Sequence, residues 1–128
     1  MPLNGACLCG QTTIVVNSGY DNQQTSGSAF STNFLAPQKD VTITGPVKTY
    51  DSKADSGATV SRVFCGNCGS AITHKSASFG ENQAVQTGNF RDAKDIPFGV
   101  EIWTKDRWSG LTPIKDIGQF RKNPWEEA

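Results

Sequence analysis

Long apolar runs are missing from this 128-residue chain. Its longest strongly apolar stretch, Thr13-Ile14-Val15-Val16, falls far short of the roughly 20 residues a helix needs to cross a bilayer. Net charge is missing as well. With 12 basic and 12 acidic side chains, the chain has no long-range field to gather a phosphate backbone or an anionic membrane, so neither is expected as a partner. The first residues, Met1-Pro2-Leu3-Asn4, form neither a basic nor an apolar targeting segment, and a cytoplasmic location is the default expectation. No glycine-rich dinucleotide or phosphate-binding fingerprint occurs, which sets nucleotide cofactors aside. No window of a dozen residues carries the apolar stripe of a stable helix.

What is present is a turn-rich, moderately polar composition, with 36% apolar residues, 13 glycines and 6 prolines. It suits one compact soluble domain spanning residues 1–128, mainly β. Strand patterns run over 11–16, 29–35, 40–44, 47–50, 58–64, 71–74, 84–87 and 100–104, with 112–114 as a further candidate. Between the first two, residues 17–28 are too poor in apolar side chains to hold an interior element and read as a loop. Arg91 to Asp95 is the one place for a helical turn.

The four cysteines fall into two close pairs, Cys7-Leu8-Cys9 and Cys65-Gly66-Asn67-Cys68. In a reducing compartment such pairs serve as metal ligands or redox groups more readily than as a disulfide framework. The second pair, followed by Gly69-Ser70, reads as a knuckle at a hairpin tip, where a turn brings two thiolates to one tetrahedral Zn²⁺. The first pair, if its backbone is extended, sends both side chains to one face. A four-cysteine site for one structural zinc ion follows, closing the start of the chain onto its middle. Free or oxidised pairs and a redox Cys-x-x-Cys remain alternatives. A redox motif sits where a strand runs into a helix, whereas Ser70 to His74 continues as strand-like sequence.

Taken in order, several segments resemble the glutathione-dependent formaldehyde-activating enzyme family, which includes the centromere protein V-like proteins. They are Gly5-Ala6-Cys7-Leu8-Cys9-Gly10-Gln11, Ser26-Gly27-Ser28-Ala29-Phe30, Arg62 through Ser70, Gly88, and Glu101-Ile102-Trp103 with Trp108. The resemblance implies an Mss4-like β-sheet fold and a structural zinc on the residues matching Cys7, Cys9, Cys65 and Cys68. It also implies a second cluster, Cys-His-Cys-x-x-Cys, shortly before the Gly-Ser-Ala-Phe segment, whose three cysteines hold a zinc linked to thiol-adduct chemistry. Counted back from Gly27, those places are held here by Asn17-Ser18-Gly19-Tyr20-Asp21-Asn22. Asparagine and glycine cannot replace thiolates around zinc. Condensation of formaldehyde with glutathione is therefore not the expected activity.

The same segment offers other chemistry. Tyr20 and Asp21 would supply a hydrogen-bond donor and a base for enolisation, dehydration or ring closure of a carbonyl metabolite. His74, the single histidine, is a third candidate for proton transfer. Asn17, Asn22, Phe30 and Trp103 are candidates for lining the pocket, with Trp108 and Phe34 as further aromatics, although core packing is the plainer role for Phe30 and Phe34. Arg62 and Glu101 suit an ion pair. The expectation is a divergent family member acting as a lyase- or isomerase-type enzyme on a small-molecule substrate, with structural zinc only. A non-catalytic binding or scaffold protein, or a residual carbon–sulfur lyase acting on a glutathione adduct, are the competing expectations. The oligomeric state is not readable from the sequence.

Overall fold

The structure is a computed structural model and describes residues 3–17, 21–25, 31–54 and 56–122, with 21–25 and 31 described through their backbone. It is mainly β. The longest helical segment among the described residues is the five-residue 3-10 turn Arg91–Asp95, where the sequence placed a helical turn.

Among the described residues, eleven strands form two sheets. The smaller holds β1 (Leu3–Ala6), β2 (Thr13–Val16) and β5 (Val41–Thr44), in the order β1-β2-β5 and antiparallel throughout. The larger holds β3 (Asp21–Thr25), β4 (Ser31–Pro37), β6 (Val47–Lys53), β7 (Thr59–Cys65), β8 (Ala71–Ser76), β9 (Asn82–Gln86), β10 (Val100–Ile102) and β11 (Gly118–Gln119). Its order is β11-β10-β3-β4-β9-β8-β7-β6, and only the contacts of β10 with β3 and β11 are parallel.

Strand partners directly opposite one another share a face, so register divides the large sheet into two sides. One row runs Phe34–Val85–Thr73–Val63 across β4, β9, β8 and β7. All four are buried, and Phe34 and Val85 belong to the core cluster that includes Ile14 and Val16 of β2. Phe34, Ile14, Val16, Ile72 and Val85 are fully buried, each contributing about 1.5–3 kcal/mol of transfer free energy. The neighbouring row runs Asp21–Leu35–Ala84–His74–Arg62–Tyr50 and belongs to the opposite face.

The segment read as a loop over 17–28 contains a strand. β3 is made of Asp-Asn-Gln-Gln-Thr, polar throughout, and it forms because β4 pairs with one edge and β10 with the other. Backbone ladder bonds on both sides override weak side-chain propensity. The strand proposed at 100–104 stops at Ile102, because Trp103 takes a left-handed φ of 57° and turns the chain away. Residues 112–114 are irregular, and the short β11 at Gly118–Gln119 fills that edge. No helix among the described residues is long and apolar enough to span a membrane.

Candidate functional site

The chain brings its four cysteines to one point, their sulfurs all lying within 4.8 Å of one another. Cys7 and Cys9 follow β1 in a turn closed by the Gly10 N–H donating to the Cys7 carbonyl at 3.1 Å. An extended backbone, as the sequence suggested, would hold their Cα atoms ~6.6 Å apart. The turn instead brings the sulfurs to 3.5 Å. Cys65 ends β7, and Cys68 lies in the tight connection to β8, closed by Gly69 N–H to Cys65 carbonyl and Cys65 N–H to Ser70 carbonyl, both 2.9 Å. Across the halves, Cys9 Sγ and Cys65 Sγ stand 3.7 Å apart. Four sulfurs each ~2.3 Å from one tetrahedral ion would be separated by ~3.8 Å. The donor set and its spacing therefore fit a metal ion.

The surroundings favour the thiolate form of Cys65 and Cys68. Thr12 N–H donates to Cys7 Sγ at 3.4 Å, and the N–H groups of Asn67 and Cys68 donate to Cys65 Sγ at 3.4 and 3.5 Å. The hydroxyl of Ser70 lies 3.2 Å from Cys68 Sγ and accepts the Leu8 N–H at 3.1 Å, joining the two halves. Ser70, through its hydroxyl and then its N–H, holds the Cys68 thiol down to about 5. The Thr12 hydroxyl, followed by the Cys68 N–H, lowers Cys65 to about 7. Thr12 is fully buried. Ser70 is visible in the sequence as the end of the knuckle, whereas Thr12 does not stand out, because it acts on Cys65, distant in sequence.

Backbone packing leaves no room beside this cluster. Gly45 has φ +136°, and a Cβ there would stand 2.3 Å from the Gln11 carbonyl oxygen and 2.6 Å from Thr12 Cα. Gly66 N–H donates to the Pro46 carbonyl at 2.6 Å, tying the knuckle to the β5–β6 connection.

A cleft of about 250 Å³ opens at the end of β4. Thr32 and Asn33 of β4, Thr87 and Phe90 of the segment after β9, and Lys94 and Phe98 beyond it line its walls. The Thr32 and Thr87 hydroxyls hydrogen-bond to each other, and Thr87 Oγ1 also donates to the Thr32 carbonyl at 3.0 Å. Of the six, the sequence singled out none. Gly88, which also lines the cleft, was visible only through the resemblance.

The candidate residues fall in different places. Tyr20 and Phe30 lie outside the described residues, as do Ser18 and Gly19. Asp21 and Asn22 are the first two residues of β3, which runs beside the cleft through the pairs Gln23↔Asn33 and Gln24↔Thr32. One to two residues of strand, about 3.4 to 7 Å, separate them from that level. Asn17 is exposed beyond β2, its N–H bound to the Asp40 carbonyl at 3.0 Å. His74 is three strands from Asp21 along their shared row, about 14 Å at normal strand spacing. The two are not within direct proton-transfer reach.

His74 is largely enclosed. Its Nδ1 lies 3.4 Å from Gln86 Nε2, its ring meets Phe79 edge-on at 5.8 Å, and Arg62 stands opposite on β7. Burial, with the Arg62 charge second, lowers it to about 4. Gln86 in turn pairs with Asn33 of the cleft wall in the β4–β9 ladder.

Arg62 does not meet Glu101: five strand spacings separate β7 from β10. Glu101 is instead paired with Arg107 at 3.2 Å, and the same Oε2 accepts the Ile114 N–H at 2.9 Å and Gln119 Nε2 at 2.6 Å. Trp103 is half-buried with the Lys105 ammonium 5.2 Å over its ring, and Trp108 is exposed. Neither lines the cleft. Phe34 is fully buried in the core, 5.5 Å from the Phe90 ring.

Comparison with known proteins fits this arrangement. The family model for the glutathione-dependent formaldehyde-activating enzyme matches residues 2–106. A crystal structure of a Rhodobacter sphaeroides protein superposes with a TM-score of 0.55 at 17% identity, covering 91% of this chain and 99% of that one. No curated protein sequence matches the chain. The mainly β architecture and the sulfur cluster thus define a β protein with a four-thiol site suited to a metal ion. The chain belongs to the glutathione-dependent formaldehyde-activating enzyme family.

Proposed function

We propose that this family member is a zinc-stabilised small-molecule enzyme of lyase or isomerase type. In this reading Cys7, Cys9, Cys65 and Cys68 hold one zinc ion as a structural staple, while oxygen and nitrogen groups beside the cleft move protons. The observation that carries it is the cleft against β4, flanked by the strand on which Asp21 and Asn22 occupy places of the family's second sulfur cluster. Bound to four thiolates, zinc would have no open position for substrate and would supply folding energy.

Asp21 serves as base and Tyr20 as hydrogen-bond donor for a carbonyl metabolite seated in the cleft, so that enolisation, dehydration or ring closure needs no thiol adduct. His74 takes a positioning role. Lowered to about 4, its imidazole is neutral near pH 7 and a weak base, but it fixes Gln86, whose ladder partner is Asn33.

The test combines metal analysis with a turnover screen. Purified protein is expected to carry one zinc per chain and to convert one member of a panel of small carbonyl metabolites, without accelerating loss of formaldehyde in the presence of glutathione. Asp21→Asn and Tyr20→Phe are expected to lower turnover about 10²-fold or more, with unchanged melting temperature. Two zinc ions per chain, or full activity in both variants, overturns the reading. Binding of panel members with no turnover of any supports the non-catalytic binding alternative instead.

A further inference from the structure

We infer that the cleft at the end of β4 is built for a small organic acid with one carboxylate and an apolar body, and that Lys94 is the group that recognises the carboxylate. The inference rests on the reading above that the cleft is where a small molecule binds, and it adds the chemical class of that molecule.

The lining supplies the argument. Among the described residues, Lys94 is the single charged side chain on the cleft wall. It makes no ion pair among the described residues, and the neighbouring Asp92 and Asp95 of the same turn do not line the cleft. One uncompensated cation at the rim of a concave surface selects a single negative charge, by a charge-assisted hydrogen bond worth roughly twice a neutral one. A phosphate would need several converging donors, and the only other polar side chains here among the described residues are Thr32, Asn33 and Thr87. Two of those are already joined hydroxyl to hydroxyl. They suit a carbonyl or hydroxyl substituent.

The rest of the wall is apolar. Phe90 is 4% exposed and Ala93 9%, forming a closed floor, while Phe98, 39% exposed, stands at the mouth. Ile96 completes this side. The volume of about 250 Å³ lies below the roughly 300 Å³ at which drug-sized pockets begin. It accommodates a ring or short branched chain, and an extended tripeptide does not fit. Charge, volume and apolar wall together specify an aromatic or branched aliphatic monoacid.

Gly88 provides a clean control. It lines the cleft, its φ is not in the left-handed region, and a Cβ built there meets no atom of the described residues within 4 Å. A larger side chain there therefore takes up open space at the cleft wall. Lys94 is exposed, so its replacement also spares the fold.

The experiment titrates zinc-loaded protein with phenylacetate and with the neutral isostere phenylacetamide, followed by amide chemical shifts in NMR. Phenylacetate is expected to bind at least tenfold more tightly, with shifts centred on Thr32, Thr87 and Lys94. Lys94→Gln is expected to bring the acid down to the affinity of the amide, and Gly88→Val to weaken both. Equal affinity for acid and amide in the wild type, or an unchanged ratio in Lys94→Gln, overturns the charge assignment. Shifts centred elsewhere, or full binding in Gly88→Val, overturns the cleft. If phenylacetate binds as expected while no organic acid is turned over, this inference stands and the lyase or isomerase reading falls.

Discussion

Cys9 and Cys65 are 56 residues apart in sequence, yet their sulfur atoms are separated by 3.7 Å. Two such distant segments meet with four sulfurs at one point, and without an ion to share, deprotonated thiolates at that spacing repel one another. A metal ion held by these sulfurs would therefore couple its binding to folding. Incubation with a strong chelator, or the substitution Cys65→Ser, is expected to lower the melting temperature by more than about 10 °C, the equivalent of a few kcal/mol for a chain of this size. Circular dichroism melts with and without added zinc measure this, and an unchanged melt in chelator contradicts it.

Gly45 tests the packing behind the cluster. A methyl group there points into the Gln11 carbonyl and the Thr12 backbone, neither of which can rotate away, and φ +136° is strained for any L side chain. Gly45→Ala is expected to cost on the order of 3 kcal/mol and to weaken zinc retention, since Thr12 N–H binds Cys7 Sγ. Gly57→Ala is the comparison: it also has positive φ but meets no atom within 4 Å, so it isolates the backbone cost. Urea denaturation of the two variants gives the difference.

The Glu101 carboxylate fastens the segment after β10 to the sheet. Three donors converge on one oxygen, from Arg107, Ile114 and Gln119. Glu101→Ala leaves the guanidinium and the Ile114 N–H without this acceptor, at an expected cost of about 3 kcal/mol. Hydrogen exchange reads the effect locally, with Ile114 and the β11 amides expected to exchange at least tenfold faster while those of β7 and β8 change less.

His74 makes a pH prediction with a definite sign. Its pKa is lowered to about 4 in the fold and is near 6.5 in an unfolded chain. Between those values the unfolded state binds the extra proton, so stability falls as pH drops from about 6.5 to about 4, by at most ~1.4 kcal/mol per unit. Above pH 6.5 the imidazole is neutral in both states and contributes no slope. As the single histidine, it gives one ring resonance, expected to remain that of the neutral form at pH 5.5. His74→Asn is expected to flatten the acid limb of the stability curve, and a ring resonance that titrates near 6.5 contradicts the assignment.

Much of the scaffold was legible because it depends on local pattern. Alternation at Thr59–Cys65 and Ala71–Ser76, and glycine after the second cysteine pair, identify a hairpin with sulfurs at its tip. The four cysteines were legible for the same reason. β3 was not: Asp21–Thr25 has no apolar residue, and besides the neighbouring β4 its order depends on β10, whose Val100 pairs with Gln23 and which no local window contains. The cleft was illegible on similar grounds. Thr32 and Thr87 are 55 residues apart and ordinary in type, and Lys94 looks like any solvated surface lysine until the turn Arg91–Asp95 brings it to the cleft wall. Glu101 suits an ion pair in the sequence but meets Arg107 of the segment after β10 rather than Arg62 of β7, because the sheet order sets β7 and β10 five strands apart.

The two-sided pairing of β3 has an evolutionary corollary. A strand gripped by main-chain bonds along both flanks makes few demands on the identity of its residues, so drift there carries little penalty for the scaffold. Residues 21–25 can therefore be exchanged for others that keep the strand, while the rest of the sheet retains its register.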